Sequence, residues 1–119
     1  MLSHFAFAQT GQWKLAGNNL NGAQRLGSTN NFNLNFITNN GTKMTLITSG
    51  RLGIGTAVPE ANLHVFRGSA GNVSPNFDAP LVVENSSNNY INLLSPGANE
   101  SGVLFGNPFS NIDGGIILQ

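Results

Sequence analysis

Few side chains in this 119-residue sequence could carry acid–base or metal chemistry. They are two histidines, His4 and His64, and five carboxylates, Glu60, Asp78, Glu84, Glu100 and Asp113. No two carboxylates stand at a short spacing that would pair a general acid with a base, and each lies in or beside a predicted turn. The serines are plentiful, but no nucleophile-elbow motif surrounds any of them. The sequence therefore predicts no catalytic residues, and the chain is not expected to be an enzyme.

The histidines also give little support for a metal site. His64 stands between Leu63 and Val65, and this alternation predicts that it lies on the solvent or interfacial face of a strand. One histidine cannot build a zinc site, although three symmetry copies of it around an axis would surround an ion. His4 lies in the N-terminal segment, away from any predicted element. No metal and no cofactor are expected.

The stretch 50–65, GRLGIGTAVPEANLHV, organises the predicted fold. Its glycine spacing fits neither a dinucleotide-binding nor a P-loop motif, and Pro59 stands where a phosphate-binding helix would begin. The stretch predicts two short strands separated by a proline-containing turn. Alternating glycines leave one strand face bare, which favours close approach of another backbone, here that of a neighbouring chain. The predicted inter-chain core is Leu52, Gly53, Ile54, Gly55, Leu63 and Val65.

The composition favours an all-β protein with little or no helix. Charged residues make up 8% of the chain, against roughly a quarter in typical soluble proteins. The 15 glycines and 19 asparagines favour turns and are poor in helix interiors. A formal net charge of zero gives no electrostatic footprint for nucleic acid. No apolar run approaches the ~20 residues of a membrane span, so membrane insertion is not expected.

Alternation of apolar and polar residues locates the strands. Residues 32–38 and 43–48 alternate on either side of Asn39-Asn40-Gly41, which predicts a hairpin with a type I′ turn. Further strands are predicted at residues 81–83, 90–94, 102–105 and 116–118, and a turn-rich segment at 107–115. Because these strands are short and their apolar side chains are spread thinly, an elongated, intertwined trimeric β-stalk is expected, in which each chain completes the others' cores.

The predicted organisation has four segments. Residues 1–10 form a signal-peptide remnant or a disordered start, since Ala6 and Ala8 occupy the −3 and −1 positions of a cleavage site. A fortuitous apolar start is the open alternative, because the basic region of a signal is missing. A first stalk repeat covers 11–66, a linker 67–79, and a second, truncated repeat 80–119.

Four aromatic residues could provide stacking platforms for a sugar: Trp13, Tyr90, Phe105 and Phe109. The competing interpretation is that they fill the core between chains, as most large aromatic side chains do. The sequence favours that second interpretation, and the aromatics remain the only candidate ligand contacts.

Three motifs carry a resemblance to a known family. WKLAGN at 13–18, NFNLNFITNNGTKM at 31–44 and GRLGIGTAVPEANLHV resemble stalk repeats of tail-fibre-like proteins of Bacteroidetes bacteria and their phages. ENSSNNYINLLSPGANESGVLFGNPFSNIDGGII at 84–117 is similar to a second unit of the same proteins. The resemblance implies a trimeric stalk segment that carries a receptor-binding tip or an endosialidase-type intramolecular chaperone further along. The catalytic residues of that self-cleaving chaperone are not in this sequence.

The function predicted from the sequence is a structural stalk module of a tail-fibre-like or adhesin-like protein. It would space and trimerise a distal module and act in host attachment, outside the cell, at its surface or on a virion. The expected partners are two further copies of the chain and, through the distal module, a cell-surface glycan or receptor. The alternative is a carbohydrate- or receptor-binding β module that uses the exposed aromatics.

Overall fold

The computed structural model of the chain describes residues 22–23 and 25–118, and within them every regular element is a β-strand. The prediction of an all-β protein is confirmed. Residues 1–10, with His4, and Trp13 lie outside the described residues. The strands are β1 (Leu34–Thr38), β2 (Gly41–Leu46), β3 (Leu52–Ile54), β4 (Leu63–Phe66), β5 (Leu81–Glu84), β6 (Ser101–Asn107) and β7 (Ser110–Leu118). They form a five-stranded sheet in the order β1-β2-β3-β4-β5 and a two-stranded sheet of β6 and β7.

The β1–β2 hairpin is present as predicted. Asn39 and Asn40 adopt φ angles of +47° and +55°, the left-handed values that a type I′ turn requires at both central positions. The turn residues are thus the two asparagines, whereas Gly41 already pairs with Thr38 as the first residue of β2. Asparagine tolerates this conformation because its short polar side chain bonds locally.

The first sheet changes from antiparallel to parallel pairing at β3. β2 pairs antiparallel with β3 after a turn in which the Gly50 N–H donates to the Ile47 carbonyl over 2.9 Å. β3 pairs parallel with β4, and β4 pairs parallel with β5. Parallel neighbours need a crossover connection, and residues 55–62 and 67–80 provide the two crossovers.

The crossover between β3 and β4 covers one face of the first sheet. A β-carbon on Gly53 would lie 2.3 Å from the Thr56 carbonyl oxygen, so the crossover passes directly over this glycine. Pro59 and Ala61 in the same crossover are buried. Gly53 therefore needs no side chain because its own chain approaches it, and a substitution here would disturb the single chain first.

The segment 67–79 contains no strand, as predicted, but it does not separate the sheets. β5 follows it and returns to pair with β4, joining Leu81 to Leu63 and Val83 to Val65 in register. The first sheet therefore extends to Glu84, and the change from one sheet to the other falls between β5 and β6. The division into two stalk repeats remains a prediction.

The second sheet is a longer hairpin than the sequence predicts. The sequence predicts turns over residues 107–115, but β7 already begins at Ser110 and includes Asp113, Gly114 and Gly115. The turn is confined to residues 107–110, where the Asn107 side-chain oxygen accepts the Phe109 N–H over 2.9 Å. The two glycines pair with Phe105 and Leu104. A β-carbon on Gly115 would lie 2.7 Å from the Val103 carbonyl oxygen, so this glycine allows β6 to approach closely, whereas the space beside Gly114 is open.

The predicted strand at residues 90–94 is wrong for the single chain. This segment belongs to neither sheet, and its residues are exposed. Within the described part of the chain it makes no backbone hydrogen bond. Alternation describes where side chains would point in a strand, but a strand also needs a neighbour to pair with, and this segment has none in one copy.

Candidate functional site

The five-stranded sheet has one face made entirely of apolar side chains. Its register aligns alternate residues of all five strands in two rows that cross the sheet. We call these ten residues the apolar face. They are Leu34, Leu46, Leu52, Leu63 and Leu81 in one row, and Phe36, Met44, Ile54, Val65 and Val83 in the other. Because side chains alternate between faces along each strand, the residues between them point to the opposite side.

Within the described part of the chain, no other strand packs on the apolar face. All ten side chains are half-buried or exposed. Of the residues that the structure describes, only five are buried: Thr45, Gly53, Pro59, Ala61 and His64. The buried apolar side chains among them are those of Pro59 and Ala61, and both are small. A contiguous exposed apolar surface of this kind indicates an interaction site, since monomeric proteins rarely expose one.

The covered face holds a small polar core instead. Thr45, Gly53 and His64 pair across β2, β3 and β4 in one row beneath the crossover. Thr45 is 1% exposed, and its hydroxyl oxygen has no hydrogen-bond partner within the described residues. A buried hydroxyl without a partner opposes folding, so Thr45 lowers the stability that this core provides.

His64 is the centre of that core, and its predicted position is wrong. The side chain is 2% exposed and lies under the crossover, on neither the solvent face nor the apolar face. The Glu60 N–H donates to His64 Nδ1 over 3.3 Å, so the ring proton is on Nε2, which donates to Glu84 Oε2 over 3.1 Å. The Phe66 ring meets the imidazole edge-on at 5.8 Å.

The same network fastens the second crossover. Glu84 Oε1 accepts the Ala70 N–H over 2.7 Å, while its other oxygen accepts from His64. One histidine and one carboxylate therefore connect the first crossover, β4, β5 and the start of the second crossover. Charge-assisted hydrogen bonds of this kind are roughly twice as strong as neutral ones.

Glu60, His64 and Glu84 place one ligand atom each within 4.8 Å of one another, as metal ligands would. Both imidazole nitrogens are already engaged, one as acceptor and one as donor, so neither offers a free lone pair. The cluster is therefore a structural network. An axial ion held by three copies of His64 is also ruled out by position, because the crossover encloses the ring.

Four of the six predicted inter-chain residues lie on the apolar face: Leu52, Ile54, Leu63 and Val65. Gly53 and Gly55 do not. A β-carbon on Gly55 would collide with the Phe66 carbonyl, as one on Gly53 would with that of Thr56. In one copy, the backbone that fills the space beside these glycines belongs to the same chain, and their place in a core between chains stays a prediction.

The predicted ligand contacts are spread over the chain. Tyr90 is 81% exposed and lines a groove at the ends of β4 and β5. Phe105 lies on β6, and Phe109 stands in the β6–β7 turn with 98% of its surface exposed. Among the described carboxylates, Glu60 and Glu84 come together at His64.

Sequence reasoning missed most of the apolar face and the partner of His64. Leu34, Phe36, Met44 and Leu46 alternate clearly, and their spacing indicates one face of a hairpin. That this face continues through β3, β4 and β5 depends on strand order and parallel register, which no local pattern reports. The bond between His64 and Glu84 joins residues twenty positions apart through the pairing of β4 with β5.

Within the described residues, no helix has the length and apolar character that crossing a membrane requires. Comparisons of the chain with protein-family models, with curated proteins and with solved structures gave no match.

Proposed function

We propose that this chain is a non-enzymatic structural module, a β-stalk segment of a tail-fibre-like or adhesin-like protein that assembles as a homotrimer. The observation that carries the proposal is the apolar face, which one copy leaves open. In the assembly this face is buried against the same face of two other copies. The stalk would hold a distal module away from its base, outside the cell or on a virion.

The energetics support association. Burying a Leu, Ile, Val, Phe or Met side chain fully is worth ~1.5–3 kcal/mol relative to exposing it. In one copy Phe36, Leu46, Ile54 and Leu81 are 36–49% exposed and the other six side chains less, so roughly a third of that gain is still available on average. The total is comparable with the ~4–15 kcal/mol that association costs in lost freedom of motion. Since the face has no charged residue, a second apolar surface is its natural complement.

The second sheet supports more than two copies. A two-stranded hairpin in water is at best marginally stable. The β6–β7 hairpin presents Val103, Phe105 and Ile116 on one side and Leu104 and Ile117 on the other, and all five are exposed. A hairpin with two apolar sides needs a neighbour on each side. In a three-fold assembly each chain has two neighbouring copies, so one copy can pack against each side of the hairpin.

The proposal is tested by the rate at which a maleimide reacts with an introduced cysteine. The chain contains no cysteine of its own, so the introduced thiol is the one that reacts. Two single-cysteine variants are compared: Ile54→Cys on the apolar face and Asn35→Cys on the opposite face of the same sheet. Both positions are exposed in one copy. We expect a bulky maleimide to react at least about tenfold more slowly at position 54 than at position 35, since burial between copies restricts access. Equal rates for the two folded variants would contradict the proposal.

A further inference from the structure

A groove at the carboxyl ends of β4 and β5 combines an aromatic ring with fixed amides and a free cation. Its volume is about 260 Å³. Val65 and Val83 contribute apolar side chains from the two strands. Arg67 and Asn85, which directly follow those strands, line it together with Asn89 and Tyr90. Pockets for drug-sized ligands measure ~300–1,000 Å³, so this groove matches a smaller unit such as one sugar ring.

The two amide side chains are held in place by the protein. Asn85 Nδ2 donates to the Asn88 carbonyl over 2.8 Å, and Asn89 Nδ2 donates to the Val83 carbonyl over 2.7 Å. These bonds fix the orientation of each amide and leave its oxygen as an acceptor, with no other partner among the described residues. Fixed acceptors cost a ligand little ordering entropy, which is an advantage in binding hydroxyl groups.

Arg67 supplies donors to complement those acceptors. Its backbone N–H donates to the Glu84 carbonyl over 2.9 Å, which fixes the backbone position from which the side chain extends. Its guanidinium makes no hydrogen bond or ion pair with any residue that the structure describes. Both oxygens of the neighbouring Glu84 carboxylate are already engaged, by His64 and by Ala70. Arg67 thus offers the groove a forked donor, and Asn85 and Asn89 offer two fixed acceptors.

Tyr90 completes the groove with a flat apolar surface. Its ring is 81% exposed, and an exposed aromatic ring beside polar groups combines apolar contact with hydrogen bonding. A pyranose ring has the matching chemistry, with a face of C–H groups and a rim of hydroxyls that both donate and accept. We infer that this groove is a saccharide-binding site, with Tyr90 stacking on the sugar and Arg67, Asn85 and Asn89 bonding its hydroxyls. This inference goes beyond the proposed stalk function. The groove shares Val65 and Val83 with the apolar face, so it requires that this corner of the face, at the ends of β4 and β5, stays open when the copies assemble.

The test uses the whole chain and methyl glycosides of glucose, galactose, N-acetylglucosamine and glucuronic acid as probes. Binding is measured by saturation-transfer NMR and calorimetry at millimolar sugar. We expect saturable binding of at least one probe, weakened at least about tenfold by Tyr90→Ala and by Asn89→Ala, because each variant removes a direct contact. Tyr90→Phe keeps the ring and is expected to retain most of the affinity.

Phe109→Ala is the matched control, since Phe109 is an exposed aromatic outside the groove. The affinity of the Phe109→Ala variant for each sugar should equal that of the unmodified chain. Binding of none of the four probes, or equal loss in Phe109→Ala and Tyr90→Ala, would overturn the inference. The mass of each variant in solution reports its assembly state, so a failure of the saccharide inference can be distinguished from a failure of the stalk proposal. A trimer that binds no sugar contradicts only the saccharide site, and a monomer that binds sugar contradicts only the trimer.

Discussion

Ile54→Asp is expected to convert the assembled protein into single folded chains at micromolar concentration. Ile54 lies in the middle strand of the apolar face and is 36% exposed in one copy, so that a single chain can turn the carboxylate towards water. Between copies, the same carboxylate would be buried without a partner, at a cost of several kcal/mol. A loss of about 4 kcal/mol weakens association about a thousandfold. Sedimentation velocity measures the change.

Asn35→Asp is the control for this variant. Position 35 is exposed on the opposite face of the same sheet, and the substitution adds the same charge there. We expect it to leave the assembly state unchanged. Circular dichroism should show the same β-structure in both variants. If Ile54→Asp sedimented like the unmodified chain, the apolar face would not be the contact between copies.

His64→Ala is expected to lower the free energy of unfolding by about 3 kcal/mol. The substitution leaves a cavity under the crossover and removes a hydrogen bond from the Glu84 carboxylate and the acceptor of the Glu60 N–H. Small domains have total stabilities of ~5–15 kcal/mol, so the loss is a large share. Urea unfolding at one fixed chain concentration measures it, because the stability of an oligomer depends on concentration.

Glu60→Ala provides the matched control for the histidine network. Glu60 contributes its backbone N–H to His64, and this group survives the substitution. We therefore expect a change within about 0.5 kcal/mol. A loss for Glu60→Ala as large as that for His64→Ala would show that the carboxylate of Glu60 is essential, and the purely structural description of the cluster would be wrong.

The β1–β2 hairpin shows how much the sequence can predict. Alternation over residues 32–38 and 43–48 and the asparagine turn are local signals, and each local signal agrees with the observed pairing. The shortage of charge and the many glycines and asparagines likewise predicted the all-β class. Four residues of the apolar face were also expected to be core positions between chains, from their spacing on β3 and β4.

The errors came from contacts that join distant parts of the chain. His64 alternates with apolar neighbours, which suggests an outward position, but the crossover folds over its side of the sheet and buries it. Gly53 and Gly55 do make room for a backbone, as predicted, and in one copy that backbone is their own chain's. Residues 90–94 have the pattern of a strand and no partner for one. In each case the local pattern is present, but the neighbour that it meets depends on strand order.

The central claim is that the apolar face is closed by two further copies of the chain. The most direct measurement is the mass of the unmodified protein in solution, by sedimentation equilibrium across the micromolar range. The account predicts three times the chain mass of 12.5 kDa, unchanged on dilution within that range. A well-folded species of a single chain mass would contradict it.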